Sequence, residues 1–403
     1  MDSKHQVADP ITDEWLGQHF DHTASELGLT LSGSLRRMRS LCPVAHSDRH
    51  GGFWVLTKYD DVARAAQDWG TFSSADGVGL PRPIGQPKTI PVEVDPPLQR
   101  TYRRLINRYL APAAVNPWEP RTRALASRLV DEFADAGECE FMEAFGRPFP
   151  SIAFFEYTLN APGEDVEKVA SWSFTASNPS EPEAGACFMN LSNWINDFVE
   201  YRRGRPAMDD IVDGILNADI DGRPISHEEV VGIILVLILG GLETTTGALG
   251  SMMVRFSEQP EVPALLRANP ERIPDAVEEL LRLDGPFVCI TRTTTCDVEV
   301  GGRQIKKGEK VLLYWASADR DDDQYADSDS FDLERGSGRH LAFGVGPHRC
   351  VGSSLARMQL RVALEEILRR IDDIRLRQGA SIEYHSAFVR SPVSVPLTFS
   401  ASR

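Results

Sequence analysis

The sequence predicts a mainly α-helical protein with a small β lobe, folded as one domain over residues 1–403. Segments of helical period outnumber strand-like segments, which are few and short. One apolar helical segment is long enough to cross a whole domain. No linker, repeat or low-complexity stretch divides the chain, so we expect a single domain, although the length alone would suggest two or three.

The first half of the chain is predicted to contain one strand, one long loop and three helices. Aromatic and branched residues at 53–59 predict a strand. Seven glycines and prolines between 75 and 91 predict a loop. Helical patterns follow at 98–110, which is strongly basic, at 121–145 and at 186–203.

The second half begins with the long apolar helix. Ser226 and Glu229 form a capping box, in which each side chain accepts a hydrogen bond from the other residue's backbone N–H. The helix is predicted to run to about residue 258, which at ~1.5 Å per residue is roughly 48 Å. Further helices are expected between Pro274 and Gly285 and over 355–371.

The remaining segments complete the β lobe. A Gly-Gly pair at 301–302 predicts a hairpin within 298–305, and strands are predicted at 310–315 and 389–399. The β lobe is therefore expected mainly at 50–60, 298–316 and 388–400.

Composition and charge exclude several classes of function. The net charge is −16, from 43 basic and 59 acidic side chains, which argues against nucleic acid as a partner. Six cysteines without a Cys-x-x-Cys pair indicate a reducing compartment and argue against zinc fingers. The N-terminus lacks a signal peptide core, and the longest apolar run, 230–242, is too short to span a bilayer. We therefore predict a cytoplasmic monomer without a membrane partner.

The most informative segment is Phe343-Gly-Val-Gly-Pro-His-Arg-Cys-Val-Gly352, in which a lone cysteine precedes a helix. The glycines keep bulk away from Cys350. A helix N-terminus presents free N–H groups and partial positive charge, which favour a thiolate. A lone thiolate suits heme iron better than zinc, which takes three or four protein ligands. The alternative is a buried structural cysteine.

Five positions of this segment fit the pattern Phe-x-x-Gly-x-His-x-Cys-x-Gly: Phe343, Gly346, His348, Cys350 and Gly352. The pattern resembles the heme-binding loop of bacterial cytochromes P450, and the resemblance spans nearly the whole chain. It implies the cytochrome P450 fold, heme b (iron protoporphyrin IX) as cofactor and Cys350 as the ligand of the iron.

A second motif, Gly240-Gly-Leu-Glu-Thr-Thr-Thr246, lies inside the long apolar helix. Two glycines there cost about 1 kcal/mol each relative to alanine, and a buried Glu243 needs a partner. One explanation is a close helix crossing, with a threonine bonded to the preceding turn. The other is the oxygen-binding segment that the motif resembles in cytochromes P450, where Glu243 and Thr244 would organise proton delivery.

A third motif is structural. Glu279 and Arg282 are three residues apart on a predicted helix and can form an ion pair, although such pairs are also common on solvated faces. In the resembling family an arginine of a Phe-Asp-x-x-Arg segment joins this pair, and here that residue is Arg335. The resemblance implies that the three hold the core of the heme loop together.

The resemblance also implies anchors for the heme propionates. These are Gln99, Arg103, Arg292 and His348. Cationic and N–H donors make short, charge-assisted bonds to carboxylates, whereas the alternative for any single arginine is a surface charge. The other residues expected beside the cofactor are Gly240, Gly241, Phe343 and Gly352.

The same resemblance places the substrate pocket at the 75–91 loop, at the 170–190 region and at nine further residues: Leu239, Leu242, Thr245, Phe287, Val288, Cys289, Ile290, Phe388 and Val389. These side chains are mostly apolar. They predict a small apolar or aromatic organic substrate.

The source of electrons is predicted to be another protein. The chain has no complete Gly-x-Gly-x-x-Gly dinucleotide motif, so we expect a separate ferredoxin. An acidic ferredoxin would dock in a salt-sensitive way on a basic face, for which the alternative is a set of solvated helix faces. The predicted face consists of Arg100, Arg104, Arg108, Arg349, Arg357 and Arg361.

The predicted function is insertion of one oxygen atom from O2 into the organic substrate. An alternative reaction within the same fold is oxidative coupling or peroxide-driven oxidation. An alternative outside enzymes is a non-catalytic heme-binding sensor. Glu243 and Thr244 disfavour a dedicated peroxygenase, since peroxide already carries the protons and electrons. A sensor or carrier has no need to protonate oxygen.

Overall fold

The structure is a computed structural model that describes residues 11–82, 86–177, 181–336 and 339–402. The described residues form sixteen α-helices, α1 to α16 in chain order: Asp13–Gln18, Leu27–Leu41, Tyr59–Gln67, Leu98–Leu110, Pro112–Val115, Glu119–Asp131, Pro148–Ala153, Val166–Ala176, Ala184–Arg203, Ile211–Leu216, His227–Gly241, Glu243–Glu258, Glu261–Ala268, Ile273–Asp284, Trp315–Ala318 and Ser353–Arg370. Two short π-helices, Met142–Gly146 and Phe154–Leu159, flank α7.

The strands of the same residues are short. They are, from β1 to β14, Val44–Ser47, Phe53–Leu56, Phe72–Ser73, Glu138–Glu140, Asp219–Ile220, Arg223–Pro224, Cys289–Thr294, Val298–Val300, Arg303–Ile305, Lys310–Tyr314, Ile371–Leu376, Tyr384–Ser386, Arg390–Pro392 and Pro396–Ala401. The predicted mainly α fold with minor strands is confirmed.

The largest sheet has the order β1-β2-β10-β7-β3. Strand β10 pairs in parallel with β2 and antiparallel with β7. Side chains along β7 are buried throughout, because β10 and β3 flank it and helices cover the sheet. The predicted hairpin at 298–305 is present as β8 and β9.

Two helix predictions need correction. The predicted helix over 121–145 ends at Asp131, because Glu138–Glu140 forms a strand that pairs with β14. The helix predicted to begin at the capping box does begin there, but it breaks at Leu242 (φ −100°, ψ −70°) into α11 and α12. The break lies inside the Gly-Gly motif.

The main hydrophobic core surrounds α11 and α12, which most of the other helices enclose. By length and composition, the segment His227–Glu258 is apolar enough to cross a membrane, longer than the apolar run counted in the sequence. However, 72% of its most apolar window is buried inside the protein. A central helix of a protein core has this character.

Candidate active site

Backbone hydrogen bonds hold the loop that places Cys350 before α16. The backbone N–H of Gly344 donates to the carbonyl of Leu341 at 2.7 Å, and that of Cys350 donates to the carbonyl of Phe343 at 2.8 Å. The α16 helix then begins at Ser353. The sequence prediction of a cysteine directly before a helix is therefore correct.

Gly346 fixes this loop against α3. Its φ is +78°, and a Cβ at this position would lie 2.7 Å from the carbonyl oxygen of Ala66 and 3.0 Å from the Cα of Gln67. Both contacts are with backbone atoms, which cannot move aside. Only glycine satisfies the conformation and the close approach together.

The Cys350 sulfur has accessible surface, yet it lies deep among protein atoms. Desolvation raises the pKa of the thiol, while the Gly352 N–H and the charges of Arg103, Arg349 and Arg357 oppose that rise. The sequence argument that loop and helix favour a thiolate therefore identified real contributions. Desolvation outweighs them in the protein alone, and coordination of a cation by the sulfur would reverse the balance.

The predicted propionate anchors gather beside this loop. Arg292 has only 2% of its surface exposed, and its one side-chain hydrogen bond is to the carbonyl of Thr291. Among the described residues, neither Arg292 nor Arg103 forms an ion pair. Desolvation followed by the charges of Arg292 and Arg103 lowers the pKa of His348 to about 3, so the ring stays neutral and can donate a hydrogen bond.

These donors fit a cofactor that carries carboxylates. A buried guanidinium without an acidic partner is costly unless an anion accompanies it. Two arginines without an ion pair in the described part of the chain, and a neutral imidazole within their electrostatic reach, supply that anion site. The sequence resemblance to a heme pocket is thus supported by the donor set.

Gln99 has a different contact from the one expected. Its side chain is 1% exposed, and its Nε2 donates to the carbonyl of Pro347 at 2.7 Å. It therefore braces the Cys350 loop from α4 and presents almost no surface to a ligand. Ser74, which sequence reasoning missed, lies with its hydroxyl 3.3 Å from the Nε2 of His348.

The two glycines of the long helix serve different purposes. A Cβ on Gly241 would lie 2.6 Å from the ring of Phe154, which is the close crossing that the sequence allowed. A Cβ on Gly240 would meet nothing within 4 Å. Gly240 is therefore exposed, although most of the helix around it is buried.

Glu243 follows the helix break and is almost completely buried, with 4% exposed. Desolvation raises the pKa of its carboxyl group to about 8, and a hydrogen bond from Ser177 opposes this rise. Its Oε2 has no hydrogen-bond partner among the described residues. Near neutral pH, Glu243 is therefore largely protonated and has one oxygen unengaged.

Thr244 lies next to this acid on the side that remains accessible. Its hydroxyl donates to the carbonyl of Gly240 at 2.8 Å, which is the bond to the preceding turn considered in the sequence. This bond sets the orientation of the hydroxyl across the break in the helix. Its lone pairs can still accept a proton-bearing partner.

The predicted pocket residues divide by exposure. Phe287 and Val389 form a β-bridge, and the N–H of Val288 donates to the carbonyl of Phe388 at 2.9 Å, so the two segments meet as expected. Residues with substantial accessible surface are Leu239, Phe287, Phe388 and Val389. Ile290 and Thr245 are nearly buried, with 7% and 5% of their surface exposed.

Three other members of that set belong to the packed core. Leu242 and Cys289 are 0% exposed and Val288 is 1% exposed, so they do not line an accessible pocket. Cys289 begins β7, whose side chains are all buried, Val288 directly precedes that strand, and Leu242 lies at the buried helix break. Residues 83–85 of the predicted loop and 178–180 of the predicted region lie outside the described residues.

The predicted ion triad is present. Both guanidinium nitrogens Nε and Nη2 of Arg282 lie 2.8 Å from the carboxylate of Glu279, and the Nε of Arg335 lies 3.2 Å from it. Arg282 also donates to the carbonyls of Asp319 and Ser328, both at 2.7 Å. The triad therefore ties α14 to the segment before the Cys350 loop.

The predicted basic face needs partial correction. Arg357 makes a two-pronged ion pair with Glu278 at 2.7 Å, and Arg361 pairs with Glu119 and Glu365. Carboxylates thus compensate the charge of both arginines. The members exposed without an ion pair among the described residues are Arg100, Arg104, Arg108 and Arg349.

Ser74 was not predicted at all, and Ser177 was predicted only as part of the 170–190 pocket region, without a role. Each is a serine in a polar stretch, with no motif or spacing to single it out. Their importance comes only from contacts with residues far along the chain. The Gly-Gly pair in the sequence indicated an irregularity in the helix. Nothing in the sequence indicated at which residue of the motif the helix would break.

Comparison with known proteins gives a consistent result. A family model described as Cytochrome P450 matches residues 165–393. Cytochrome P450 130 of Mycobacterium tuberculosis is 34% identical, over 85% of this chain and 88% of that protein. Linalool 8-monooxygenase of Pseudomonas putida is 30% identical, over 81% and 84%. The structure of cytochrome P450 CYP109Q5 from Chondromyces apiculatus superposes with a TM-score of 0.85 at 31% identity, covering 96% and 99% of the two chains.

Proposed function

Because the chain belongs to the cytochrome P450 family of heme-dependent monooxygenases, we propose that it oxidises a small, largely apolar organic molecule with electrons from a separate ferredoxin. We further propose that the protein acts as a cytoplasmic monomer, with residues 1–403 forming one domain. Family membership supplies the class of reaction, one oxygen atom of O2 inserted per turnover. The substrate and the electron donor are argued from the residues of the site.

Cys350 is the proposed ligand of the heme iron, with Arg103, Arg292 and His348 as donors to the heme propionates. Gly346 holds the loop in place and Gln99 braces it. Heme b, when bound, supplies the activation of O2 and the transfer of an oxygen atom. The chain's own side chains orient the cofactor, exclude water and deliver protons.

One observation carries the proposal beyond heme binding: an acid and an alcohol are consecutive residues at the break in the central helix. Glu243 is buried, protonated and has one free oxygen. Thr244 beside it presents a hydroxyl whose orientation is fixed by Gly240. Glu243 can release a proton towards Thr244 and recover one through Ser177, whose own side chain is partly exposed.

The same pair argues against the alternatives. A peroxide-driven oxidation brings its own protons and electrons, and a sensor turns over nothing, so neither needs a buried acid beside an oriented alcohol. Oxidative coupling within the family does consume O2 and stays the second candidate. It differs by its product, which joins two parts of a substrate without gaining oxygen.

The accessible pocket residues support an apolar substrate. Leu239, Phe287, Phe388 and Val389 offer aliphatic and aromatic surface, which binds apolar molecules by burial of their surface. A relative of this chain carries the name linalool 8-monooxygenase. Terpene-like molecules are therefore a reasonable first group for a screen of heme spin-state changes.

Replacing Thr244 by alanine tests the proposed monooxygenase reaction. With a surrogate ferredoxin system and a substrate found in the screen, we expect NADH consumption to continue while product per NADH falls several-fold and peroxide rises. The physical reason is loss of the oriented hydroxyl. Thr244→Ser, which retains the hydroxyl, should restore most of the yield.

Thr246→Ala is the matched control, because Thr246 is buried on the same helix and its hydroxyl has no partner among the described residues. It should leave the yield per NADH near that of the original protein. If Thr244→Ala leaves the product formed per NADH unchanged, or if Thr246→Ala lowers it equally, Thr244 does not belong to the proton path.

A further inference from the structure

A cluster of metal-binding side chains lies outside every motif of the proposed active site. Asp21 and His22 come from the segment between α1 and α2, and His50 comes from the turn between β1 and β2. Each offers one ligand atom, and the three atoms lie within 4.8 Å of one another. The Nε2 of His50 is already 2.9 Å from the carboxylate of Asp21.

His22 has an unusual environment for a core histidine. It is 0% exposed, and neither ring nitrogen has a hydrogen-bond partner among the described residues. Desolvation lowers the pKa of His22 to about 4, and the nearby backbone of Leu80, which does not meet hydrogen-bond geometry, opposes this shift only in part. A buried polar group left unsatisfied costs about 1–3 kcal/mol.

Aromatic packing accounts for the ring carbons of His22 but not for its nitrogens. The ring lies 5.2 Å from that of Phe388 and 5.9 Å from that of Phe53, measured between centroids. An apolar side chain would serve this packing at least as well. The lack of a partner for both nitrogens, one of which lies within 4.8 Å of ligand atoms of Asp21 and His50, therefore needs a separate explanation.

We propose that Asp21, His22 and His50 form a binding site for a divalent transition metal of the zinc type. Two imidazoles and one carboxylate suit Zn²⁺, with a fourth position for water. The side chains of His50 and Asp21 are 19% and 25% exposed, so the ion enters from solvent. His22 supplies the ligand from the interior.

The geometry requires a small closure. Tetrahedral zinc with bonds of ~2.0–2.1 Å places its ligand atoms ~3.3 Å apart, so the atoms must approach by about 1.5 Å at most. Thr23 donates both its hydroxyl, at 2.7 Å, and its N–H, at 2.9 Å, to one oxygen of Asp21. Such outer contacts orient a ligating carboxylate and raise metal affinity.

Zinc binding to the untagged, heme-loaded protein tests the proposal. After treatment with EDTA, Zn²⁺ is titrated by calorimetry, and bound zinc is measured by elemental analysis separately from heme iron. We expect one zinc per chain. Asp21→Asn and His50→Gln should each weaken binding at least ten-fold, and both alter partly exposed residues, so heme content and folding should persist.

His19→Gln is the matched control. His19 pairs with Asp48 at 2.8 Å on a nearby surface and does not belong to the cluster, so this variant should bind zinc as the original protein does. Absence of zinc binding, binding unchanged in Asp21→Asn and His50→Gln, or equal loss in His19→Gln would each overturn the proposal. A correctly folded His22→Ala variant that binds zinc normally would overturn it too.

Discussion

At the scale of single residues, Glu243 shows how burial keeps a carboxyl group protonated at a pH where an exposed one is ionised. In water a glutamate gives up its proton near pH 4.5. Desolvation disfavours the charged form and raises the pKa of Glu243 to about 8. The side chain therefore holds a proton under conditions in which the many acids on the surface have lost theirs.

This shift predicts a specific pH dependence of stability. A folded-state pKa above the unfolded value means that the protonated acid stabilises the fold fully below about pH 4.5, and that this stabilisation is lost as the pH rises through about 8. Glu243→Gln removes the titration. Urea unfolding from about pH 5 to about pH 9 should show the original protein losing stability relative to this variant as the pH rises.

Glu132→Gln is the corresponding control, because the side chain of Glu132 is 61% exposed. Its stability should follow that of the original protein over the same range of pH. Parallel curves for Glu243→Gln and the original protein would show that Glu243 is ionised in the folded state.

Much of this site could be predicted residue by residue, and some of it could not. Local spacing predicted Cys350, and the rule that a buried acid needs a partner predicted that Glu243 would have one. The identity of that partner, Ser177, depends on α8 packing against α11. Gln99 likewise lies beside the Cys350 loop as expected, but it donates to the carbonyl of Pro347 instead of facing a ligand. Pro347 is far from Gln99 in the sequence, so this contact could not be predicted.

At the scale of elements, α14 is fastened by charges that are almost wholly buried. Glu279 and Arg282 are 6% and 3% exposed. Arg282 also satisfies carbonyls of the segment that leads towards the heme loop. Removing one member of such a pair leaves the other charge buried without compensation.

Arg282→Ala should therefore reduce the free energy of unfolding by about 3–5 kcal/mol, measured by urea denaturation of the heme-loaded protein. Heme retention should fall with it, since the network supports the segment before Cys350. Arg272→Ala is the comparison, because Arg272 pairs with Glu334 on the surface. If both variants lose the same stability, the buried network has no special role.

Elements with a strong local signal were predicted well. The basic helix has the expected bounds of Leu98–Leu110, and the capping box begins α11 where expected. The prediction of a helix over 121–145 was wrong in its second half, because Glu138–Glu140 forms a strand that pairs with β14 near the end of the chain. A pairing between such distant segments has no signature in either one.

At the scale of the whole molecule, charge is unevenly distributed. The chain carries a net charge of −16, yet α4 and the Cys350 loop expose several arginines that pair with no acid within the described ranges. Arg100, Arg104 and Pro347 border one shallow surface pocket, so helix and loop form a continuous surface. A basic surface on an acidic protein selects an acidic partner by long-range attraction.

Reversing two of these charges tests the ferredoxin face. Arg100→Glu with Arg104→Glu should slow reduction by an acidic ferredoxin at least ten-fold at low salt and flatten its dependence on salt. Reduction by dithionite, a small molecule, should stay the same. Stopped-flow measurement of the heme absorbance distinguishes the two.

Arg128→Glu makes the same kind of change on an exposed helix position elsewhere and should have little effect on either reaction. Equal slowing of dithionite and ferredoxin reduction would indicate damage to the heme site. Equal slowing of the ferredoxin reaction by Arg128→Glu would place the effect in overall charge rather than in this face.

Strand β7 has a consequence for engineering the enzyme. Ile290, near the proposed pocket, and Arg292, the proposed propionate anchor, are two residues apart on it, and β10 and β3 hold it from both sides. A substitution at Ile290 that displaces the strand also moves Arg292. Phe388 and Val389 pair with Val288 and Phe287, just before β7, and not with the strand itself, so changes there act on the anchor less directly. Libraries aimed at new substrates should therefore vary residues 388 and 389 before residue 290. Substrate selectivity can then change with less disturbance to the binding of the cofactor.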